Sequence, residues 1–123
     1  MLQAENQQSS DSVLYELFLQ TRQESQRLSA ALAGFFLTDG VQQAHHDAYR
    51  AYLKRRIRPA AAALIEAEDT EKLEILAAQG WFDRALLDDL ILTARQRRKP
   101  AALVWLLRRK QAAYGFCDRD FSL

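Results

Sequence analysis

His45-His46-Asp47 is the one place where side chains that bind metals or move protons stand side by side. Neighbouring residues on a helix point about 100° apart, so these two imidazoles do not share an ion. Zinc-binding helices carry ligands at i and i+4, and Tyr49 and Arg50 stand there instead. The trio reads as a polar helix face, and no metal or cofactor is expected. Cys117 has no recognisable base or oxyanion hole around it, as a catalytic thiol needs. A lone cysteine also excludes an intramolecular disulfide and a multi-cysteine zinc site, so a reducing, cytoplasmic setting is expected. Glu66, Glu68, Asp69, Glu71 and Glu74 form an acidic run without the D-x-D-x-D-G loop of a calcium site. Asp69 and Glu71 fit a helix's first turn, where negative charge offsets the dipole, and Asp88-Asp89 reads as a solvated face. No catalytic set emerges, and the chain is expected not to be an enzyme.

Cations and large aromatics remain as functional candidates. Lys54-Arg55-Arg56-Arg58, Arg95-Arg97-Arg98-Lys99 and Arg108-Arg109-Lys110 each fall near a predicted helix end. Gathered on one edge, they would neutralise several phosphates or meet an acidic protein surface. Cations are also favoured at helix C-termini by the dipole alone. Trp105, between Val104 and Leu106, lies off the face of Leu103 and Leu107 and would be exposed in a lone hairpin. It is the leading anchor for a partner unless the N-terminal helix covers it. Trp81-Phe82 is expected to fold back as an apolar plug between hairpins. Trp81, Trp105, Arg97, Arg98, Arg108 and Arg109 are the candidate interaction residues.

These residues must be positioned by helices. Ala, Leu, Gln, Arg and Glu dominate the 123 residues, and only four Gly and two Pro occur. Such residues lose little entropy in a helix. An all-α fold of about five or six helices, a bundle of repeat-like helical hairpins, is expected. Residues 1–9 read as a flexible polar lead, and 10–123 as a single domain. Within it, Ser10, Asp11 and Ser12 offer N-cap oxygens to one N-terminal helix over 10–38, whose polar middle from Gln20 to Gln26 projects or is exposed. Hairpins fill 41–114, and residues 115–123 form a tail that could dock on the body or on a partner. A second helix from near Val41 buries Tyr49, Tyr52, Leu53 and Ile57. A break is expected near Arg58, with Pro59 opening the next helix. Asp69 or Thr70 and then Asp83 cap later helices, and Gly80 takes the left-handed position at a helix end. Leu86, Leu87, Leu90, Ile91 and Ala94 face inward, followed by Leu103, Val104, Leu106 and Leu107, and Gly115 stops the last helix.

Two internal echoes disagree. Pro59-Ala60-Ala61 and Pro100-Ala101-Ala102 lie 41 residues apart, whereas Leu73/Leu76 and Leu103/Leu106 lie 30 apart. The stretch from Leu90 to Leu107, LILTARQRRKPAALVWLL, resembles an ankyrin-type repeat, with Ala94 in a first helix and a Val-x-Leu-Leu run in the second. The preceding DTEKLEILAAQGWFD resembles the second helix of an earlier repeat. The resemblance spans residues 69–110 and implies stacked helix–loop–helix units and protein binding. It departs from that family in lacking a Thr-Pro-Leu-His start, in Arg98 at the turn glycine, and in Pro100.

Net charge is +1. Residues 1–49 carry two cations and six anions, and residues 50–123 carry fifteen and ten, a dipole that could steer a charged partner or align copies head to tail. No apolar run approaches the roughly 20 residues that span a bilayer, and the N-terminus lacks the pattern of a secretory signal. The expected function is a cytoplasmic protein–protein interaction module, an adaptor, inhibitor or assembly subunit that could also form a homodimer. A small nucleic-acid-binding subunit working through the arginine clusters is the alternative.

Overall fold

Thr21-Arg22-Gln23 interrupts the helix expected over 10–38 and makes it two. Thr21 Oγ1 accepts from the Gln23 amide at 3.2 Å and donates to Gln26 Oε1 at 2.7 Å. Local hydroxyl bonds of this kind compete with the helical ladder. Arg27 Nη2 donates to the Thr21 carbonyl at 2.6 Å, satisfying one of the acceptors left open at a helix end. The polar stretch from Gln20 to Gln26 is exposed as expected apart from half-buried Thr21, but residues 21–23 within it are the turn between two helices. The computed structural model describes residues 10–38 and 40–115, which are all-α: α1 (Ser10–Gln20), α2 (Glu24–Phe35), α3 (Gln43–Arg55), α4 (Ile57–Glu66), α5 (Thr70–Ala77), α6 (Arg84–Gln96) and α7 (Pro100–Tyr114). The expectations for residues 1–9, Cys117 and the tail beyond Gly115 fall outside the described residues. No helix among the described residues is long and apolar enough to cross a membrane.

Where the sequence reads one domain over 10–123, the chain groups into two compact units, Met1–Arg56 and Ile57–Leu123. The boundary lies at the C-cap of α3, Arg56, two residues before the expected break at Arg58. Pro59 is the third residue of α4, not its first. A proline there costs no hydrogen bond, because first-turn amides have no intrahelical acceptor. Cutting the chain at this boundary removes the charge dipole. The first unit holds six cations and six anions, the second eleven and ten.

In the first unit α2 packs on α1 and α3. Its core is aromatic: Phe18, Phe35, Tyr49 and Tyr52 are buried with Leu53. Phe18 meets the Tyr49 and Tyr52 rings edge-on, both at 5.2 Å. Rings of this bulk fit because α2 offers Ala30, Ala31 and Gly34 to the interior. A Cβ at Gly34 would overlap the Tyr49 ring and lie 2.8 Å from its hydroxyl. α3 begins at Gln43 rather than Val41, and Ile57, expected on its buried stripe, opens α4 half-buried.

The second unit is two hairpins, α4–α5 and α6–α7, with α4 packed on α6 and α5 on α7. Local caps follow the sequence. Asp69 accepts from the Lys72 amide at 3.2 Å, and Asp83 from the Leu86 amide at 2.8 Å. Gly80 and Gly115 take φ of +87° and +83°. Leu86, Leu87, Leu90, Ile91 and Ala94 are all buried. The last helix departs from expectation. Its buried stripe is Ala102, Leu106 and Lys110, spaced four apart, while Val104 is 46% exposed. Val104 lies two residues from both Ala102 and Leu106, about 200° around the helix, on the opposite side.

The turns of the two hairpins share one hydrogen-bond pattern. Asp69 N bonds the Leu64 carbonyl as Lys99 N bonds that of Ala94; Glu68 N bonds Ile65 as Arg98 N bonds Arg95. Leu73 N to Asp69 and Leu103 N to Lys99 complete the match. Each pair is 30 residues apart, so the backbone follows the leucine echo and not the proline one. Glu68 and Arg98 occupy equivalent places with φ of +51° and +56°. Arg98 therefore adopts the left-handed conformation for which a glycine was expected at this turn, a strain of roughly 1 kcal/mol for a residue with a Cβ.

Candidate interaction surface

Trp105 is half-buried, and two contacts hold its orientation. Its Nε1–H donates to Glu74 Oε1 of α5 at 2.9 Å, and the Phe82 ring meets it edge-on at 6.4 Å. Within the second unit its neighbours are α5 and the inter-hairpin connection. Phe82 is the buried plug, and Trp81 beside it is half-buried. Glu74, Trp105, Arg108, Arg109 and Ala112 line an open groove of about 300 Å³. Within it Arg109 Nη1 lies 3.5 Å from Glu74 Oε2 and Nη2 3.5 Å from the Ala77 carbonyl. Arg108 is exposed at its rim and makes no ion pair among the described residues.

Five of the other clustered cations are paired, while Lys54, Arg55 and Arg98 are exposed and make no ion pair among the described residues. Arg97 and Lys99 both reach Glu66, at 2.8 and 3.4 Å. They hold its carboxyl below the ordinary value, the Arg97 hydrogen bond contributing most. Arg58 pairs with Asp89 and Arg56 with Glu24. Lys110, read as part of an exposed cluster, is buried with Nζ 2.7 Å from Asp88 Oδ1. Glu66 of the acidic run, and Asp88 and Asp89, read as a solvated face, are the partners of these cations, while Asp69 and Glu71 occupy the first turn of α5 as expected. Arg98 and Arg108 are brought to exposed positions on the α6–α7 hairpin, and Arg97 and Arg109 to its seam with α4–α5.

Asp11, expected to offer a cap oxygen to its own helix, instead serves α3. It is 1% exposed; its Oδ2 accepts from the Gln42 amide at 3.2 Å and lies 2.7 Å from His45 Nδ1. The Tyr15 ring stacks on His45 at 3.8 Å, and Phe35 stacks on His46 at 4.7 Å. The two imidazoles thus have separate surroundings, as their angular offset dictates. Tyr49 Oη and Asp11 Oδ1 are buried without a hydrogen bond among the described residues. Burial first, and the charge of Asp11 second, push the Tyr49 hydroxyl up to about 12. Tyr52 donates to Glu24, which lowers the Glu24 carboxyl below its usual range. Among the described residues no group of three or more His, Cys, Asp or Glu could hold a metal ion.

Glu68 also went unrecognised as a cap. Its Oε2 accepts from the Ala101 amide at 2.8 Å and the Ala102 amide at 3.4 Å, covering the N-terminus of α7 from the preceding hairpin. The sequence signal was indirect: α7 begins at Lys99-Pro100 with no capping side chain of its own. No known protein family, curated protein or solved structure matches the chain.

Proposed function

We propose that the chain is a non-enzymatic protein–protein interaction module, an adaptor, inhibitor or assembly subunit, whose second unit takes a partner on the Trp105 groove. The observation that carries this reading is the fixed indole. A large aromatic already held in place by Glu74 and Phe82 loses little entropy when a partner covers it, the property that concentrates binding energy in a few anchors. Arg108 and Arg109 set the sign of the partner. A carboxylate-bearing segment would compete with Glu74 for Arg109 and meet an uncommitted cation at Arg108. The paired state of Arg97, Lys99, Arg58 and Lys110 favours a protein partner over a phosphate backbone, since each would have to leave an existing anion. The stacked hairpins agree with the ankyrin-like resemblance, and a cytoplasmic setting with the protein-binding role.

Capture from native lysate, with and without nuclease, tests the reading. A partner retained after nuclease and lost with Trp105→Ala is expected. A partner lost on nuclease treatment assigns the chain to nucleic acid instead, and a partner retained by Trp105→Ala overturns the Trp105 groove as its site.

A further inference from the structure

The Trp105 groove lies on the face of α7 that leads to the point where the chain leaves this helix. Trp105, Arg108, Arg109 and Ala112 recur at three- and four-residue spacings on that face, and the next place on the stripe is Gly115. Gly115 ends the helix with φ of +83°, and the eight residues after it read FCDRDFSL. At about 1.5 Å per residue, Trp105 lies about 15 Å back along α7 from Gly115, and Arg108 about 10 Å. An extended chain covers about 3.3 Å per residue, which carries Asp118 about 10 Å and Phe121 about 20 Å from the same glycine. Asp118 thus comes level with Arg108, and Phe121 reaches Trp105 with length to spare for a turn. The charges match as well. Arg108 and Arg109 line the groove from α7, and Glu74 lines it from α5. Arg108 has no ion pair among the described residues, and Arg109 holds Glu74 only at 3.5 Å. In an extended segment Asp118 and Asp120 project to one side and Arg119 to the other. Two anions would then face the two cations of α7, and one cation the carboxylate of α5.

We propose that residues 116–123 fold back along α7 and occupy the Trp105 groove, with Asp118 and Asp120 on Arg108 and Arg109, Arg119 on Glu74, and Phe121 beside the indole. A short tether supplies such a segment at an effective concentration on the order of millimolar, so weak contacts suffice to seat it. The other surface of α7 within the same reach is the stripe of Val104, Leu107 and Gln111, which has no charge to offer the two aspartates. The seated segment has the chemistry of the carboxylate-bearing partner, and that partner must displace it to bind. The displacement rests on the function proposed above, whereas the docking does not.

Nuclear magnetic resonance on the full chain tests the docking without any partner. A nitroxide on Ser122→Cys, in a Cys117→Ser background, is expected to erase the Trp105 indole N–H signal, which Trp105→Phe identifies. Asp118→Lys together with Asp120→Lys should bring the signal back. Arg108→Glu should do the same, and Arg108→Glu combined with Asp118→Lys should erase it again. An indole signal indifferent to the two lysines, or broadening centred on the Val104 and Leu107 amides, overturns the docking. The paired lysine substitutions should also raise capture of a Trp105-dependent partner severalfold, and unchanged capture overturns the competition. Because the spectra contain no partner, a segment that does not dock leaves the lysate result intact. A seated segment with no partner captured from lysate counts against the proposed function alone.

Discussion

Gly34→Ala is expected to destabilise the first unit although alanine is the better helix former. Gly34 lies inside α2 without a positive φ, so the backbone accepts a Cβ. Propensity alone would favour the substitution by about 1 kcal/mol. Against it stands the Tyr49 ring, which the new methyl would overlap. The ring has no room to withdraw: Tyr49 is 0% exposed, with Phe18 edge-on at 5.2 Å and Tyr15 at 6.0 Å. Overpacking of this kind costs about 1–3 kcal/mol, and a rigid, enclosed ring belongs at the upper end. The net effect is a loss of about 1–2 kcal/mol, or a midpoint lower by roughly 4–16 °C for a unit of this size. Three of the four tyrosines, Tyr15, Tyr49 and Tyr52, lie in the first unit and only the exposed Tyr114 in the second, so near-ultraviolet tyrosine signals follow mainly the first unit. Tyr49→Leu removes the outer ring atoms, and in that background Gly34→Ala should become neutral or stabilising. The resulting coupling between the two sites, on the order of 2 kcal/mol, is within the range of contacting residues. A Gly34→Ala chain as stable as wild type, or additivity in the double mutant, would refute the close approach of α2 and α3.

Tyr49→Phe should stabilise the chain by about 1 kcal/mol, measured by urea titration, because it deletes a buried hydroxyl that has no partner among the described residues. Tyr49 also dictates an alkaline limit. Its folded value of about 12 exceeds the ordinary 10, so the unfolded chain ionises first and stability declines as pH rises from 10 toward 12. The Phe variant should lose that part of the decline. Glu68→Ala should cost about 1 kcal/mol by leaving the α7 amides uncapped, and Glu68→Gln less, since it keeps an acceptor. Hydrogen exchange at Ala101 and Ala102 reads the difference. Glu24 and Glu66 have depressed folded values, so their contribution is present at neutral pH and fades as pH falls below 4.5. Acid titrations of Glu24→Gln and Glu66→Gln should show a shallower loss than wild type.

The residue types of the candidate surface were legible in the sequence, but not their geometry. Trp105 was singled out for lying off the face of Leu103 and Leu107, yet all three are half-buried, because the buried stripe is Ala102, Leu106 and Lys110. That Trp105 would donate to Glu74 depends on how far α5 sits from α7, a quantity no spacing encodes. The arginine clusters were visible as charges, but their state was not. Arg97 and Glu66 lie 31 residues apart, and only stacked hairpins make them neighbours. Lys110 looked like a surface cation because nothing in the sequence placed Asp88 over it.

Helical content, the caps at Asp69 and Asp83, the left-handed Gly80 and the buried face of α6 were all determined by the sequence itself. Each depends on residues within four positions, where covalent geometry fixes the neighbours. Tertiary structure decided which helices lend carboxylates to others. Asp11 serves the start of α3, and Glu68 the start of α7, two helices with no capping side chain of their own. It also turned 10–35 into a hairpin, because pairing α1 with α2 buries Phe18 and Phe35 that one straight helix would leave without a facing surface. Amides and carboxylates distant in sequence can find each other only after apolar burial has set the helix positions, and that burial is a property of the whole packed unit.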